Sequence, residues 1–145
     1  MKTYSFLDTQ CTIVGPGGAI SVGPGAGNSK EGISIEPSQD VNAMTVGADG
    51  EGYHNLHADK SGRITIRLLK TSPVNGQLSL MYNVQRASSA AWGQNTIALT
   101  NNTLGDAITC QNVAFGRVPT LTYAEDGAFN EWRFDSIKID MGLGK

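Results

Sequence analysis

Two histidines, His54 and His57, are the residues most suited to metal binding, and they stand three positions apart. Along a strand, side chains three positions apart point to opposite faces, so the two imidazoles would not share an ion there. No third ligand stands close by in the sequence, although a metal site needs at least three or four. We therefore interpret both as surface or interface histidines.

The run GPGAGNSK at residues 23–30 contains the glycines, serine and lysine of a phosphate-binding loop. In such a loop the lysine follows the last glycine and precedes Ser or Thr, and a helix starts there. Here Ser29 precedes Lys30, and the strand-like GISIEP follows. The run is therefore predicted to be a glycine-rich turn.

No residue pattern predicts catalysis or a cofactor. Acidic residues in predicted turns do not have the spacing of a calcium-binding loop. The chain has no Gly-x-Ser-x-Gly motif, and neither cysteine stands close to a histidine. The sequence thus predicts a protein that is not an enzyme and binds no metal. The turn acids are Asp49, Glu51, Asp59, Glu125 and Asp126.

Composition limits the classes of partner and compartment. The net charge of −2 gives no basic footprint, so tight nucleic-acid binding is not expected. No apolar run approaches the roughly 20 residues that span a membrane, and no signal peptide opens the chain. Cys11 and Cys110 are predicted to be free, buried thiols of a cytoplasm-like compartment.

The elements that would position any site are organised around residues 62–93. Ile64, Ile66 and Leu68 alternate with polar residues, which predicts a strand with one buried face. Ser72 and Pro73 then form a helix start, because serine caps free N–H groups and proline is tolerated in the first turn. A helix over about residues 73–92 follows.

The predicted helix has more apolar surface than a single sheet would cover. One side carries Val74, Leu78, Met81, Tyr82 and Trp92. Further apolar residues extend this apolar surface round the helix and so widen it. Two interpretations stay open: a deeply buried core helix, or a helix between its own sheet and a neighbouring subunit. The widening residues are Leu80, Val84, Ala87 and Ala91, and the polar strip is Asn75, Ser79, Asn83 and Arg86.

The rest of the chain predicts short strands and turns. Glycine numbers 18 and charged residues make up 17% of the chain, which favours a β-rich fold whose surface is partly used for association. We predict one domain over residues 1–145, mainly β. It would be a β-sandwich or barrel of about eight or nine strands with one flanking helix. The polar, glycine-rich section at about 38–62 is predicted to be a projecting hairpin or long loop.

Several segments together resemble the tail tube proteins of contractile-tailed bacteriophages. The resemblance extends from about Thr9 to Asp140 and is strongest in the strand–helix section. The segments are GPGGAISVGPGAG, KEGISIEP, MTVGADGEGYHNLHADKSG, LLKTSPVNGQLSLMYNVQR, SSAAWGQN and LTYAEDGAFNEWRFDSIKID.

The resemblance implies a structural role in a virion. Six copies would form a ring with a β-barrel inner wall, and rings would stack into a hollow tube through which DNA passes during ejection. Implied partners are other copies, the tail sheath, the baseplate and tail terminator, and the tape measure protein and double-stranded DNA in the lumen. Assembly would take place in the host bacterial cytoplasm, without membrane insertion by this chain.

The resemblance also assigns residues to assembly surfaces. Leu80, Val84, Ala87 and Ala91 would form a subunit-interface helix. Arg63, Arg67 and Asp135 would face the lumen or a subunit contact, and Thr65, Thr109 and Gln111 are further candidates for the lumen wall. The inter-ring contact would involve Asp49, Glu51, Tyr53, His54, His57 and Lys60.

Three alternatives remain open at this point. A tube protein of a contractile secretion or bacteriocin particle would share the ring but carry no genome. A non-polymerising phage tail part would share only the fold. A carbohydrate-binding β-sandwich would belong to a different class.

Overall fold

The structure is a computed structural model that describes residues 2–25 and 28–144, with the side chains of residues 28–31 outside the described part. The predicted turn at 23–30 therefore lies partly outside it. Among the described residues there are nine strands and one α-helix, which confirms the mainly-β prediction. They are β1 (Thr9–Gly15), β2 (Gly18–Ser21), β3 (Asn28–Pro37), β4 (Asn42–Val46), β5 (Gly52–Leu56), β6 (Gly62–Leu69), α1 (Val74–Arg86), β7 (Asn95–Asn101), β8 (Asp106–Arg117) and β9 (Phe129–Gly142).

Seven strands form one antiparallel sheet in the order β2-β1-β7-β8-β9-β6-β3. The remaining two, β4 and β5, pair only with each other. Strands β2 and β3 are the edges of the large sheet, so each has one side without a ladder partner among the described strands. Pairings between strands far apart in the sequence, such as β6 with β9, place the two halves of the chain side by side.

One face of the sheet packs on α1. Side chains from β1, β2, β6, β7, β8 and β9 join three helix residues in a single buried cluster. Seven strands about 4.8 Å apart would span about 29 Å if flat, more than one helix about 10 Å wide can cover. Because Val22 near one edge and Ile64 near the other are both fully buried, the sheet must curve around the helix.

Helix α1 starts as predicted but ends earlier. Ser72 Oγ accepts a hydrogen bond from the Val74 N–H at 3.2 Å, and Pro73 has helical dihedral angles. The helix stops at Arg86 rather than near residue 92. Beyond it the backbone makes turns in which an N–H donates to the carbonyl three residues earlier. These turns end at Gly93, whose φ is +77°. Ser88 Oγ accepts from the Ala90 N–H, and this local bond competes with helix continuation.

Two polar helix residues form hydrogen bonds on the inward side of the helix. Asn75, assigned to the polar strip, accepts the indole N–H of Trp132 at 3.0 Å and donates to the Leu69 carbonyl at 2.9 Å. Gln85 is fully buried and forms a reciprocal amide pair with Asn95, with N–O distances of 2.6 and 2.8 Å. It also donates to the Pro16 carbonyl at 2.9 Å. Gln85 thus ties the helix to β7 and to the β1–β2 turn.

Strands β8 and β9 shift their buried side chains together. Along β8 the inward residues pass from Cys110 to Val113, and along β9 from Ser136 to Ile139. Asn112 accommodates the shift with a left-handed φ of +53°. The alternation of buried and exposed side chains in β9 therefore breaks between Ser136 and Ile139. A second irregularity, a β-bulge, lies at Gly116.

The buried amide pair generates a stability prediction. Replacing Gln85 by Leu should lower the free energy of unfolding by about 2–3 kcal/mol, because the Asn95 amide would stay buried without its partner. Gln77→Leu is the matched control: Gln77 is exposed on the same helix, so the change should stay within about 0.5 kcal/mol. Denaturant unfolding followed by circular dichroism measures both. Equal effects would contradict a special role for the pair.

Candidate functional site

The β4–β5 pair, here called the projecting hairpin (residues 42–56), stands apart from the core. Its side chains are almost all exposed, including Met44 at 66%, Tyr53 at 63% and Leu56 at 87%. An isolated two-stranded hairpin is marginally stable in water. This one presents apolar surface that no other described part of the chain covers, which is typical of an association surface.

Local hydrogen bonds set the shape of the projecting hairpin. The Gly47 N–H donates to the Glu51 carbonyl at 2.7 Å, and Asp49 Oδ1 accepts from the Glu51 N–H at 3.0 Å. Asn55 Nδ2 lies within hydrogen-bond distance of the Ala43 carbonyl and of Thr45 Oγ1. Gly50 has a φ of +89°, which explains the glycine in this tight turn.

The two histidines have separate partners. His54 Nδ1 lies 3.2 Å from Asn42 Nδ2 on the paired strand, whereas His57 Nδ1 lies 3.0 Å from the Asp40 carbonyl oxygen. Among the described residues, no three His, Cys, Asp or Glu side chains gather closely enough to hold a metal ion. The histidines therefore belong to the hairpin and its base, each bonded locally.

The base of the hairpin is anchored to the large sheet. Lys60, predicted to lie in the contact loop, instead lies against β9: its carbonyl accepts from the Ile139 N–H at 2.9 Å and its Nζ is 3.3 Å from Asp140 Oδ1. Hydrogen bonds from Ser61 and Gln39 lower the pKa of Asp59 to about 2. Asp59 therefore stays ionised at ordinary pH and holds the two arms of the base together. Asp49, Glu51, Tyr53 and His54 remain on the projection itself.

Helix α1 exposes an apolar stripe on the side away from the sheet. Leu80 is 63% exposed and Val84, one turn later, is 45% exposed. Ala87 follows the last helical residue, and Ala91 is half-buried in the turns beyond it. Only Leu80 and Val84 of the four predicted interface residues therefore lie within the helix.

The outer face of the sheet, opposite α1, is polar and charged. Arg63 Nε lies 3.7 Å from Asp135 Oδ1, and Arg67 Nε lies 3.7 Å from Glu131 Oε2. Arg67 also donates to Ser34 Oγ at 3.0 Å. The register places the predicted lumen candidates Arg63, Thr65, Arg67, Thr109, Gln111 and Asp135 on this same face. Sequence reasoning missed Glu131, Arg133, Lys138 and Asp140, which share the face but become neighbours only through strand pairing.

The cysteines lie in the core and confirm the prediction of free, buried thiols. Burial raises the pKa of Cys11 to about 12, with Cys110 adding to the rise, and burial raises the pKa of Cys110 to about 11. A thiol that stays protonated at neutral pH is a poor nucleophile. Among the described residues, no helix has the length and apolar character that a bilayer crossing requires.

A protein-family comparison shows which family the chain belongs to. The family model described as the bacteriophage PhiTE tail tube protein matches residues 1–144. The chain belongs to this tail tube protein family. Its role is therefore that of a structural protein of a phage tail tube, which confirms the resemblance drawn from the sequence. A comparison with curated protein sequences finds no match.

Solved structures share the fold at low sequence identity. The tube-terminating cap of the anti-feeding prophage is 9% identical with a TM-score of 0.57, and the match covers 99% of this chain and 93% of that one. A chain of the six-fold symmetrised anti-feeding prophage baseplate is 13% identical with a TM-score of 0.51, covering 97% and 95%. At identities this low, the two comparisons show that the fold is shared and nothing further.

The exposed stripe of α1 generates an assembly prediction. Leu80→Ser should leave the melting temperature of the monomer nearly unchanged, because Leu80 makes little contact within its own chain. Association of the chain, followed by sedimentation, should weaken clearly. Leu78→Ala is the contrasting variant, since Leu78 is fully buried and its truncation should cost about 2–5 kcal/mol of folding free energy. A large drop in melting temperature for Leu80→Ser with normal association would identify a plain core helix.

The buried thiols generate a pH prediction. Above pH 9 the thiols of the unfolded chain ionise, whereas the folded chain retains these protons until about pH 11–12. The folded state then binds more protons, so stability should fall as pH rises from about 9 to 11, by up to about 1.4 kcal/mol per pH unit for each thiol. The Cys11→Ala/Cys110→Ala variant should have a shallower slope in denaturant unfolding. An unchanged slope would refute the assignment to the thiols.

Proposed function

We propose that six copies of this chain form a ring and that rings stack into a hollow tail tube through which DNA passes during ejection. Family membership over residues 1–144 carries the proposal. The fold similarity to a six-fold symmetrised baseplate chain supports the ring number. The chain would catalyse no reaction in this role, since a passive conduit needs only shape and surface chemistry.

Ring closure would use the two free sheet edges. Strand β2 at one edge and β3 at the other each carry backbone donors and acceptors without a ladder partner in the described chain. Pairing the β2 edge of one copy with the β3 edge of the next would satisfy these groups and continue the sheet from subunit to subunit. The apolar stripe of Leu80 and Val84, with Ala87 and Ala91 beside it, would then cover the neighbouring subunit.

The outer sheet face would line the lumen. Phosphates are held by free lysine and arginine side chains, and each such contact strengthens DNA binding. Arg63 and Arg67 already lie close to Asp135 and Glu131 of their own chain, so their charges are partly neutralised. The part of this face that carries threonine, glutamine and paired charges would let DNA slide.

Contacts between rings would use the projecting hairpin. Its exposed apolar residues would be covered by the adjacent ring, with Asp49, Glu51, Tyr53, His54 and His57 at the contact. Lys60 would fix the base of the hairpin on β9 rather than touch the next ring. Anchoring the base in this way would transmit the position of one ring to the next.

The other partners follow from the role. A contractile sheath would surround the tube, the baseplate and tail terminator would bound it, and the tape measure protein would occupy the lumen before DNA. The protein would thus be a virion component assembled in the host bacterial cytoplasm. A second candidate is a tube-terminating part, supported by the fold similarity to the anti-feeding prophage cap. Such a protein would form a single ring that does not stack.

Electron microscopy of the purified full-length protein tests the proposal. We expect hollow six-fold rings and stacks of rings, because the free edges and hairpins are present in every copy. Single rings at all concentrations would favour the terminating part. A stable monomer at high concentration, by sedimentation and negative stain, would refute both. Varying protein concentration and salt controls for assembly that is merely slow.

A further inference from the structure

Two arginines, Arg117 and Arg133, lie directly opposite each other on β8 and β9, beyond the bulge at Gly116. Like charges at facing positions of a sheet repel. Within the described residues neither forms an ion pair, whereas Arg63 and Arg67 both have a carboxylate within 3.7 Å. The facing pair is therefore a concentration of positive charge without its own anion.

The two arginines line a cleft of about 260 Å³, here called the arginine cleft. Its one carboxylate, Glu131, is already engaged by Arg67. The Nε atom of Arg133 is buried and has no hydrogen-bond partner in the described chain. A buried donor without a partner is unfavourable, and paired guanidinium groups bind carboxylates with well-defined geometry. The cleft thus has the chemistry of a carboxylate site. The other lining residues are Val118, Thr120 and Phe129.

A suitable carboxylate lies at the turn of the projecting hairpin. Glu51 is exposed, and its side chain forms no hydrogen bond or ion pair among the described residues, while its backbone N–H is held by Asp49. The turn therefore presents a free carboxylate on a backbone of fixed shape. Ordering such a group on binding costs little conformational entropy beyond its own side chain.

The hairpin and the arginine cleft lie at different ends of the sheet. The hairpin leaves it where β3 ends at Pro37 and β6 begins at Gly62, whereas β8 ends at Arg117, on the side of the sheet toward the C-terminal end of β6. The hairpin strands pair only with each other and remain exposed, so the turn does not occupy the cleft of its own chain. A tip at one end and a socket at the other favour a head-to-tail contact between copies.

We propose that the Glu51 carboxylate of one copy docks between Arg117 and Arg133 of a second copy in the adjacent ring. This inference rests on the proposed stacking of rings and identifies the acceptor for the hairpin. The incoming carboxylate would hydrogen-bond the guanidinium groups and relieve the repulsion between them. Docking would therefore depend on salt concentration, as ion pairs at a partly exposed contact do.

Charge reversal in the full-length protein tests the docking. Glu51→Lys and Arg117→Glu/Arg133→Glu should each reduce the assembled fraction about tenfold or more, because each leaves like charges facing each other. The combined variant carries the reversed pair on both sides and should regain most of the assembly. Sedimentation and negative-stain microscopy at low and high salt give the readout, and melting temperatures establish that each variant is folded.

A matched control separates docking from net charge. Asp126→Lys makes the same charge change at an exposed loop residue whose side chain forms no hydrogen bond or ion pair among the described residues. It should assemble like the wild type. If Asp126→Lys impairs assembly as strongly as Glu51→Lys, overall charge is the cause and the docking is refuted.

The remaining outcomes distinguish this inference from the proposed function. Wild-type protein that forms neither rings nor stacks would overturn the proposed function, and the docking with it. Normal stacking of the Arg117→Glu/Arg133→Glu variant would overturn the docking alone. If that variant stacks normally but loses binding of inorganic phosphate in calorimetry, the cleft is a phosphate site. A combined variant no better than its parents would also refute the Glu51–arginine pairing.

Discussion

A single thirteen-residue helix has to cover one face of a seven-stranded sheet, and the rest of the structure follows from that constraint. The sheet curves so that α1 can reach side chains from nearly every strand. The opposite face, both sheet edges and the far side of the helix have no covering element among the described residues. The Gln85–Asn95 amide pair fixes where the helix sits, because an amide in an apolar core is stable only with its partner in place.

Local sequence signals predicted those elements whose cause is local. The alternation of Ile64, Ile66 and Leu68 was enough for β6, and Ser72 with Pro73 was enough for the helix start. The helix end was placed too late because residues 87–92, ASSAAW, contain neither proline nor glycine, and the first such residue is Gly93. The burial of Gln85 had no sequence signal, since its partner Asn95 lies beyond a loop and the pairing depends on how the helix docks.

The candidate surfaces also include features that the local sequence predicted and features that depend on contacts between distant residues. A polar, glycine-rich composition predicted the projecting hairpin, but the exposure of its large apolar side chains became evident only from the paired strands. Lys60 was assigned to the hairpin by sequence proximity, whereas its bond to β9 is a contact across 79 positions of sequence, to Ile139. Arg117 and Arg133 face each other only because Gly116 shifts the register of β8, which no local pattern announces.

The hairpin at one end of the sheet has a consequence for the geometry of any assembly built through it. A subunit that reaches out on one side only makes a head-to-tail contact, which no two-fold axis relates to itself. A stack of such subunits would therefore be polar, with two different ends. One terminus would display unfilled tips and the other unfilled sockets. Growth at the two termini would then proceed at different rates, and a protein shaped to stop one terminus would not fit the other.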